Sequence, residues 1–384
     1  MKRALIVAAT GGFLNGFLIS DMKLLQEMGY EVHCAANGNS VSTFVPDERF
    51  ASIGVRFHQI DFSSTSPISK ETLKAYNQYK ELLNRYHFDF VHVHTPIPGA
   101  IVRIATRHER REGCVVVYTT HGLTFPKGST LKTKIIYGGV EWLCSWMTDG
   151  IITINKEDFL KMKKMACKNV YHINGVGVDT SRYHECKIDR EAYRKSLGLS
   201  EDDIAILEVG ELSVRKNHKV IINALAKLND RRYVFLVCGK AMTNCGTYDF
   251  LRKYADEKKV RVIFLGFRKD IPEINHCADI AVLPSLREGL GLAGIEALAS
   301  GVPVVGSKVQ GIKDYVVDGE TGYLCAPTDA NAFAEKIKLL SDREVRTSMQ
   351  KACVEKAEEF RLEISHQQMT DIYKELLSGQ EKSK

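Results

Sequence analysis

Short apolar runs recur along the chain, separated by longer segments whose apolar positions repeat at helical spacing. In the first half the runs are Ala4 to Ala9, Glu31 to Ala36, Val55 to Ile60, Phe90 to His94, Val115 to Thr119 and Gly150 to Ile154. In the second they are Ile204 to Val209, Tyr233 to Cys238, Val260 to Leu265, Ile280 to Leu283 and Val302 to Val305. Runs of this kind, apolar throughout and closed by glycine, proline or polar residues, suit strands covered on both faces, as in a parallel sheet. Between them, Phe13 to Met28 and Leu292 to Ala299 read as helices, and Ala330 to Ser378 is helical in pattern and charged. The fold class is therefore α/β with mainly parallel sheets. Periodicity is lost at Asn174 to Asp179, which is rich in glycine, and the segment stays polar to about Ser200. A chain of 384 residues exceeds what one hydrophobic core serves, so the break marks a boundary between two domains.

Composition narrows the class. With 44% apolar and 26% charged residues, and no apolar stretch near the roughly 20 residues needed to span a bilayer, the chain reads as a globular protein and not an integral membrane protein. The apolar run of MKRALIVAAT is short for a signal sequence and reads as a first buried strand. Ten cysteines are scattered singly without C-x-x-C spacing, which favours a reducing cytosol. A net charge of +6 is too small to argue for nucleic-acid binding. Locally, Arg103, Arg107, Arg110, Arg111, Lys127, Lys132 and Lys134 face only Glu109 and Glu112, and Ile135 to Met147 follows with its aromatic residues. Such a stretch either attracts anionic lipid headgroups at the inner face of a membrane or is simply a solvated face.

The candidate chemistry centres on residues 279 to 306. Pro284 ends a strand, Ser285 to Gly291 forms a loop containing Glu288, and Glu296 follows inside the next helix. Eight residues along one helix would separate the carboxylates by about 12 Å. A loop that folds back brings them close enough to bracket one polyhydroxyl ligand. Glycines there let an anion approach the N–H groups that open the helix, so hydroxyls and phosphate together suggest a nucleotide sugar. The plainer alternative is one glutamate on a solvated loop and another in a salt bridge. Gly210 to His218 repeats the theme, with Arg215 and Lys216 at a strand-to-helix junction suited to a diphosphate, and Gly266-Phe267-Arg268 closes another strand.

In the first half, Thr10-Gly11-Gly12 opens a glycine loop without the G-x-G-x-x-G spacing of a dinucleotide site. His92 and His94 alternate along one strand and share a face. They could begin a metal site with His121 as a third ligand, but hydrogen-bonded histidines are the commoner outcome, and no metal is expected. His121 follows a strand directly and precedes Gly122, which places its backbone within reach of a substrate.

Together these residues resemble the GT-B glycosyltransferases, in particular the retaining family 4 group. The resemblance rests on Glu288 to Glu296 as an E-x7-E signature within PSLREGLGL, on VGELSVRKNH and GFRKDI, and on VQGIKDYVVDGETGYL. In the first half HVHTP, VYTTHGLTF, ITINKED and NGVGVD look most like the EpsD-like branch, which builds bacterial exopolysaccharide and capsule on lipid-linked intermediates. The resemblance implies two Rossmann-like domains facing across a cleft: residues 1–178 for the acceptor, 179–362 for the nucleotide sugar, and 363–384 as a helix returning to the first domain and a tail. It implies that Glu296 holds the ribose hydroxyls, Glu288 the donor sugar and Lys216 the diphosphate. Gly210, Arg215, Arg268 and the backbone of Gly289, Leu290 and Gly291 complete the donor site. Gly12 leaves room for the diphosphate on the opposite wall, and His121 sits beside the transferred sugar. One departure stands out: many members carry arginine after the glycine of the phosphate loop, where this chain has Glu211. Arg215 or Arg287 would have to compensate.

The expected reaction is transfer of a hexose or N-acetylhexosamine from a UDP-sugar to a lipid-linked saccharide, with retention. The chain has no Asp-x-Asp motif, so no metal cofactor is expected and Lys216 with helix N-termini would carry the leaving-group charge. Glu288, His121 and Lys216 form the expected catalytic set. A UDP-sugar 2-epimerase of the same fold and a non-catalytic nucleotide-sugar-binding subunit are the alternatives.

Overall fold

The computed structural model describes residues 1–39, 47–63, 69–125, 128–241 and 246–381. Lys127 and Cys245 lie outside the described residues. The chain forms two compact units, one of Met1–Val176 with Ser365–Lys384 and one of Gly177–Ile364.

The first unit is built on seven parallel strands: β1 (Arg3–Thr10), β2 (Glu31–Asn37), β3 (Arg56–Gln59), β4 (Phe90–His94), β5 (Val115–Thr120), β6 (Gly150–Thr153) and β7 (Asn169–His172). Their order is β3-β2-β1-β4-β5-β6-β7. Leu5, Val7, Val91, Val93 and Val116 on one sheet face pack on Tyr79, Leu82 and Leu83 of the helix Lys70–Arg85 and on Ile101 and Val102 of Pro96–Ala105. Burial stabilises each such aliphatic side chain by about 1.5–3 kcal/mol. On the other face the helix Leu362–Glu381 returns to this unit: the fully buried Tyr373 packs edge-on to Phe90 at 5.1 Å between ring centres. Gly150 makes that approach possible, because a Cβ there would lie 2.6 Å from Leu376 Cδ1.

The second unit has six parallel strands: β8 (Ile204–Val209), β9 (Tyr233–Cys238), β10 (Arg261–Gly266), β11 (Ile280–Leu283), β12 (Val304–Ser307) and β13 (Gly322–Cys325). They run in the order β10-β9-β8-β11-β12-β13. In both sheets the winding reverses once, between β1 and β4 and between β8 and β11. Such reversals open a crevice at the carboxyl ends of the strands, where open α/β sheets bind ligands.

Three expectations need correction. The segment expected as one helix from Phe13 is two, Gly11–Phe17 and Ile19–Glu27, because the backbone turns at Leu18, whose side chain is drawn into the core. Strands β7 and β13 went unread because neither four-residue segment, NVYH nor GYLC, forms a continuous apolar run, which a strand at a sheet edge does not need. Arg103 does not belong to the basic surface. It is fully buried, its guanidinium 4.0 Å from the Tyr118 ring centre, donating from NH2 to Glu141 Oε2 at 2.8 Å and from Nε to the Gly99 carbonyl at 2.7 Å. Among the described residues no helix is long and apolar enough to cross a membrane. The nine described cysteines are free thiols.

Candidate active site

The carboxyl ends of β8 and β11 put the second unit's functional side chains together. After β8, Gly210 leads into a short 3-10 turn, Val214–Lys216, which carries Arg215 and Lys216. Asn217 follows in the left-handed conformation and donates from Nδ2 to the carbonyls of Pro284 (3.0 Å) and Pro327 (2.8 Å), tying this turn to the end of β11. After β11, Glu288 Oε2 accepts three hydrogen bonds: from Lys216 Nζ at 2.9 Å, Ser285 Oγ at 3.0 Å and an Arg215 NH1 at 3.2 Å. Burial alone would raise the Glu288 carboxyl. The charges of Lys216 and Arg215, with the hydrogen bonds from Lys216 and Ser285, outweigh it and hold the group below its ordinary value. Gly210 is required here, since a Cβ would come within 2.9 Å of Lys216 Cε.

Arg215 also donates to Glu211 Oε1 at 3.0 Å. The cation that would compensate for Glu211 is thus shared between Glu211 and Glu288. Arg287 is exposed on the same loop.

Glu296 projects from the helix Leu292–Ala299. Burial raises its carboxyl, against a hydrogen bond from Tyr183 and the charge of Arg182. Both carboxylates, Glu288 and Glu296, lie near the buried Tyr315 phenol and help push it upward after burial itself. Tyr315 Oη donates to the Gly291 carbonyl at 3.0 Å, and Gly291, at φ +83°, caps the helix. Gly289 and Leu290 pass directly over Gly311, where a Cβ would sit 2.2 Å from the Gly289 oxygen. Among the described residues no side chain caps the first turn of that helix, and a helix N-terminus favours an anion.

Two residues here escaped sequence reasoning. Glu208 lies within β8 and His218 opens the next helix; both are buried, with Glu208 Oε1 3.6 Å from His218 Nε2 and neither carboxylate oxygen hydrogen-bonded. Burial pushes the Glu208 carboxyl well up, partly opposed by Lys216, and pushes His218 down to about 4. The signal was a lone acid inside the apolar run IAILEV. Arg268 is not in the cluster: it makes a two-pronged pair with Asp270 and reaches Tyr193 Oη at 3.4 Å.

In the first unit, Thr10 caps the helix Gly11–Phe17, which contains Gly12. His121 Nε2 lies 3.0 Å from His94 Nδ1, its ring edge-on to Phe13 at 4.8 Å between centres. Burial lowers His121 to about 4, so it is neutral at physiological pH and available to donate or accept one hydrogen bond. His121 lies beside His94 but is not among the described residues whose polar atoms converge as metal ligands would. Instead, Asp21, His92 and His94 converge, one polar atom of each within 4.8 Å of the others. Both ring nitrogens of His92 already have partners, Tyr373 Oη at 2.6 Å and Thr119 Oγ1 at 2.7 Å.

Two α/β units of this topology, one with Lys216 paired to Glu288 at its switch point, fit a nucleotide-sugar transferase of GT-B type. The chain belongs to the group 1, family 4 glycosyltransferases. The Glycosyl transferases group 1 family matches residues 189–360, and the Glycosyl transferase 4-like family matches residues 4–155. EpsD of Bacillus subtilis (strain 168), which carries the provisional name of a glycosyltransferase, is 36% identical over 346 residues, covering 88% of this chain and 87% of EpsD. The UDP-Gal:alpha-D-GlcNAc-diphosphoundecaprenol alpha-1,3-galactosyltransferase of Escherichia coli is 28% identical over 292 residues, 73% of each chain. Among solved structures, Anabaena Alr3699/HepE in complex with UDP-glucose superimposes with a TM-score of 0.78 at 17% identity, covering 97% of this chain and 99% of that one.

Proposed function

We propose that this enzyme transfers a hexose or N-acetylhexosamine from a UDP-sugar to a lipid-linked saccharide during synthesis of a bacterial surface polysaccharide, with retention at the anomeric carbon. The observation that carries the reading is the cluster at the carboxyl ends of β8 and β11, where Lys216, Arg215 and Glu288 meet beside the helix that bears Glu296. Support for the donor comes from Alr3699/HepE, solved with UDP-glucose, and for a lipid diphosphate acceptor from the name of the Escherichia coli relative. In this reading residues 179–362 bind the donor, residues 1–178 the acceptor, and the protein works at the cytoplasmic face of the membrane.

The roles proposed for single residues are those that the family resemblance implies. Glu296 accepts the ribose hydroxyls, exchanging its Tyr183 partner for them. Lys216 takes the diphosphate, aided by the backbone N–H groups of Gly289, Leu290 and Gly291, with Gly210 leaving room for the lysine stem. Positive charge placed where the leaving group gains negative charge is the main catalytic contribution, and the reading includes no metal. Glu288 holds the sugar hydroxyls, and His121 a hydroxyl of the transferred sugar. The donor phosphate removes the acceptor proton on the face it leaves, so positioning replaces an enzymic nucleophile. Arg268 would have to leave its pair with Asp270 to meet the donor.

The test is a panel of UDP- and GDP-sugars screened for thermal stabilisation, followed by transfer to polyprenyl-diphosphate saccharides. Stabilisation by UDP-sugars with acceptor-dependent UDP release is expected. Equal stabilisation by GDP-sugars would overturn the uridine assignment, donor epimerisation without acceptor would indicate the 2-epimerase, and binding without turnover a non-catalytic subunit.

A further inference from the structure

The helix Leu131–Ser145 turns Tyr137 and Cys144 inward but much of its remaining apolar surface outward. Its inward face carries Glu141, Cys144 and Ser145, all buried. Its outward face carries Leu131 (73% exposed), Ile135 (64%) and Trp142 (51%), continued one turn on by Trp146 (61%). The spacing of these four positions sets them on one stripe, which Ile136 and Leu143 widen. Isolated exposed apolar residues are ordinary, but a stripe of four large ones on one helix face, with Lys132 beside it, is not. The buried Glu141 is not an error of register: it is held by Arg103 and accepts from Tyr118 Oη at 3.2 Å, so the fold fixes the helix with this stripe out.

Charge identifies the occupant. Lys132 and Lys134 are exposed at the start of the helix, whose one acid, Glu141, is buried. At its end an Arg110 NH1 donates to the Trp146 carbonyl at 3.3 Å, bringing up the short helix Arg107–Arg111 with Arg107 and Arg111 exposed. Acids near that end are mostly engaged: Asp149 with Arg110, Glu109 with Lys80, and Glu112 with His108 at 3.6 Å. We infer that this helix is the protein's membrane-docking element, lying in the headgroup layer of a bilayer that contains anionic lipid. Apolar side chains enter the acyl boundary, the two indoles sit at the interface, and the lysines and arginines meet the lipid phosphates. A second copy of the chain is a poorer fit, because a symmetric contact would set the same cationic fringe against itself. The inference is independent of donor and acceptor identity.

Trp142 and Trp146 are the chain's two tryptophans, so tryptophan emission, excited where tyrosine does not absorb, reports this face alone. Full-length protein, without donor or acceptor, is titrated with vesicles of phosphatidylcholine alone and of phosphatidylcholine mixed with phosphatidylglycerol, and binding is confirmed by flotation. Blue-shifted emission, protection from acrylamide and flotation are expected with the mixed vesicles only, diminishing at high salt. Substituting Trp146→Ser with Ile135→Ser should weaken binding at least tenfold at an unchanged melting temperature, since both side chains are exposed. Lys132→Glu with Lys134→Glu should weaken it without touching the apolar face. Unshifted emission in the mixed vesicles would overturn the inference. So would equal binding to neutral vesicles, or a solution dimer dissociated by the Ile135 substitution. A failure here leaves donor binding, measured separately, intact.

Discussion

Lys216 Nζ lies 2.9 Å from Oε2 of Glu288, so the two residues assigned to the diphosphate and to the sugar are partners of each other. A phosphate that takes Lys216 must compete with a carboxylate already bonded to it. Arg215 and Ser285 remain on the same oxygen of Glu288 and can keep it ionised when Lys216 turns away. Donor binding is thereby an exchange of ion pairs and not the creation of a new one, which limits the desolvation cost of the buried lysine.

This exchange separates two substitutions. Lys216→Met should lower kcat/KM by about 10²–10³, the scale for removing one stabilising group from a developing anion. It should also weaken UDP binding measured by calorimetry. Glu288→Gln should leave UDP affinity within a few-fold while kcat falls. Full turnover by Glu288→Gln would remove Glu288 from the site.

Glycines at the loop crossing give a steric prediction. A Cβ on Gly311 would stand 2.2 Å from the Gly289 oxygen and 2.4 Å from Leu290 Cα, both backbone atoms that cannot swing aside. Gly311→Ala should therefore displace the loop after Glu288, raising KM for the donor and destabilising the unit by about 1–3 kcal/mol, the range for overpacking. Chemical denaturation and donor titration would show both effects. Unchanged values would mean that the loop yields at no cost.

Sequence periodicity and motif spacing revealed much of this fold, but not evenly. Strands β4, β8, β9 and β11 were read with the bounds they have, because interior strands of a parallel sheet are apolar throughout. The edge strands β7 and β13 carry no such signal. The partnership of Lys216 with Glu288, separated by 72 residues, follows from the order in which β8 and β11 lie side by side, which single-run patterns do not encode. Asp21 was invisible for a related reason: it looked like a helix surface residue, and only the return of the final helix over β4 buries it with Tyr373 and the histidines. Arg103 was misread because a local charge count says nothing of a buried partner 38 residues away.

That buried pair has its own test. Removing one partner of a buried ion pair strands the other, at about 3–5 kcal/mol. Arg103→Met and Glu141→Leu should each cost that much by urea denaturation, while the double substitution should cost clearly less than their sum. Additive costs would show that the pair is not coupled.

The last prediction concerns pH. Burial raises the Asp21 carboxyl from 3.8 to about 7, so the folded chain holds a proton there that the unfolded chain has released. Stability from this group is fully present below the unfolded value and is lost as pH rises through about 7, at about 1.4 kcal/mol per pH unit between the two. The neighbouring histidines act in the opposite sense: burial lowers His92 to about 3 and His121 to about 4, so each costs stability as pH falls below the ordinary imidazole value of 6.5. Total stability therefore mixes the two, but Asp21→Asn removes only the first contribution. Across a pH series of urea midpoints, the substituted protein should gain on the wild type from about pH 4 upward and level off above pH 7–8. A difference that stays constant over that range would show that Asp21 titrates as an ordinary surface carboxylate and that the final helix does not seal it in.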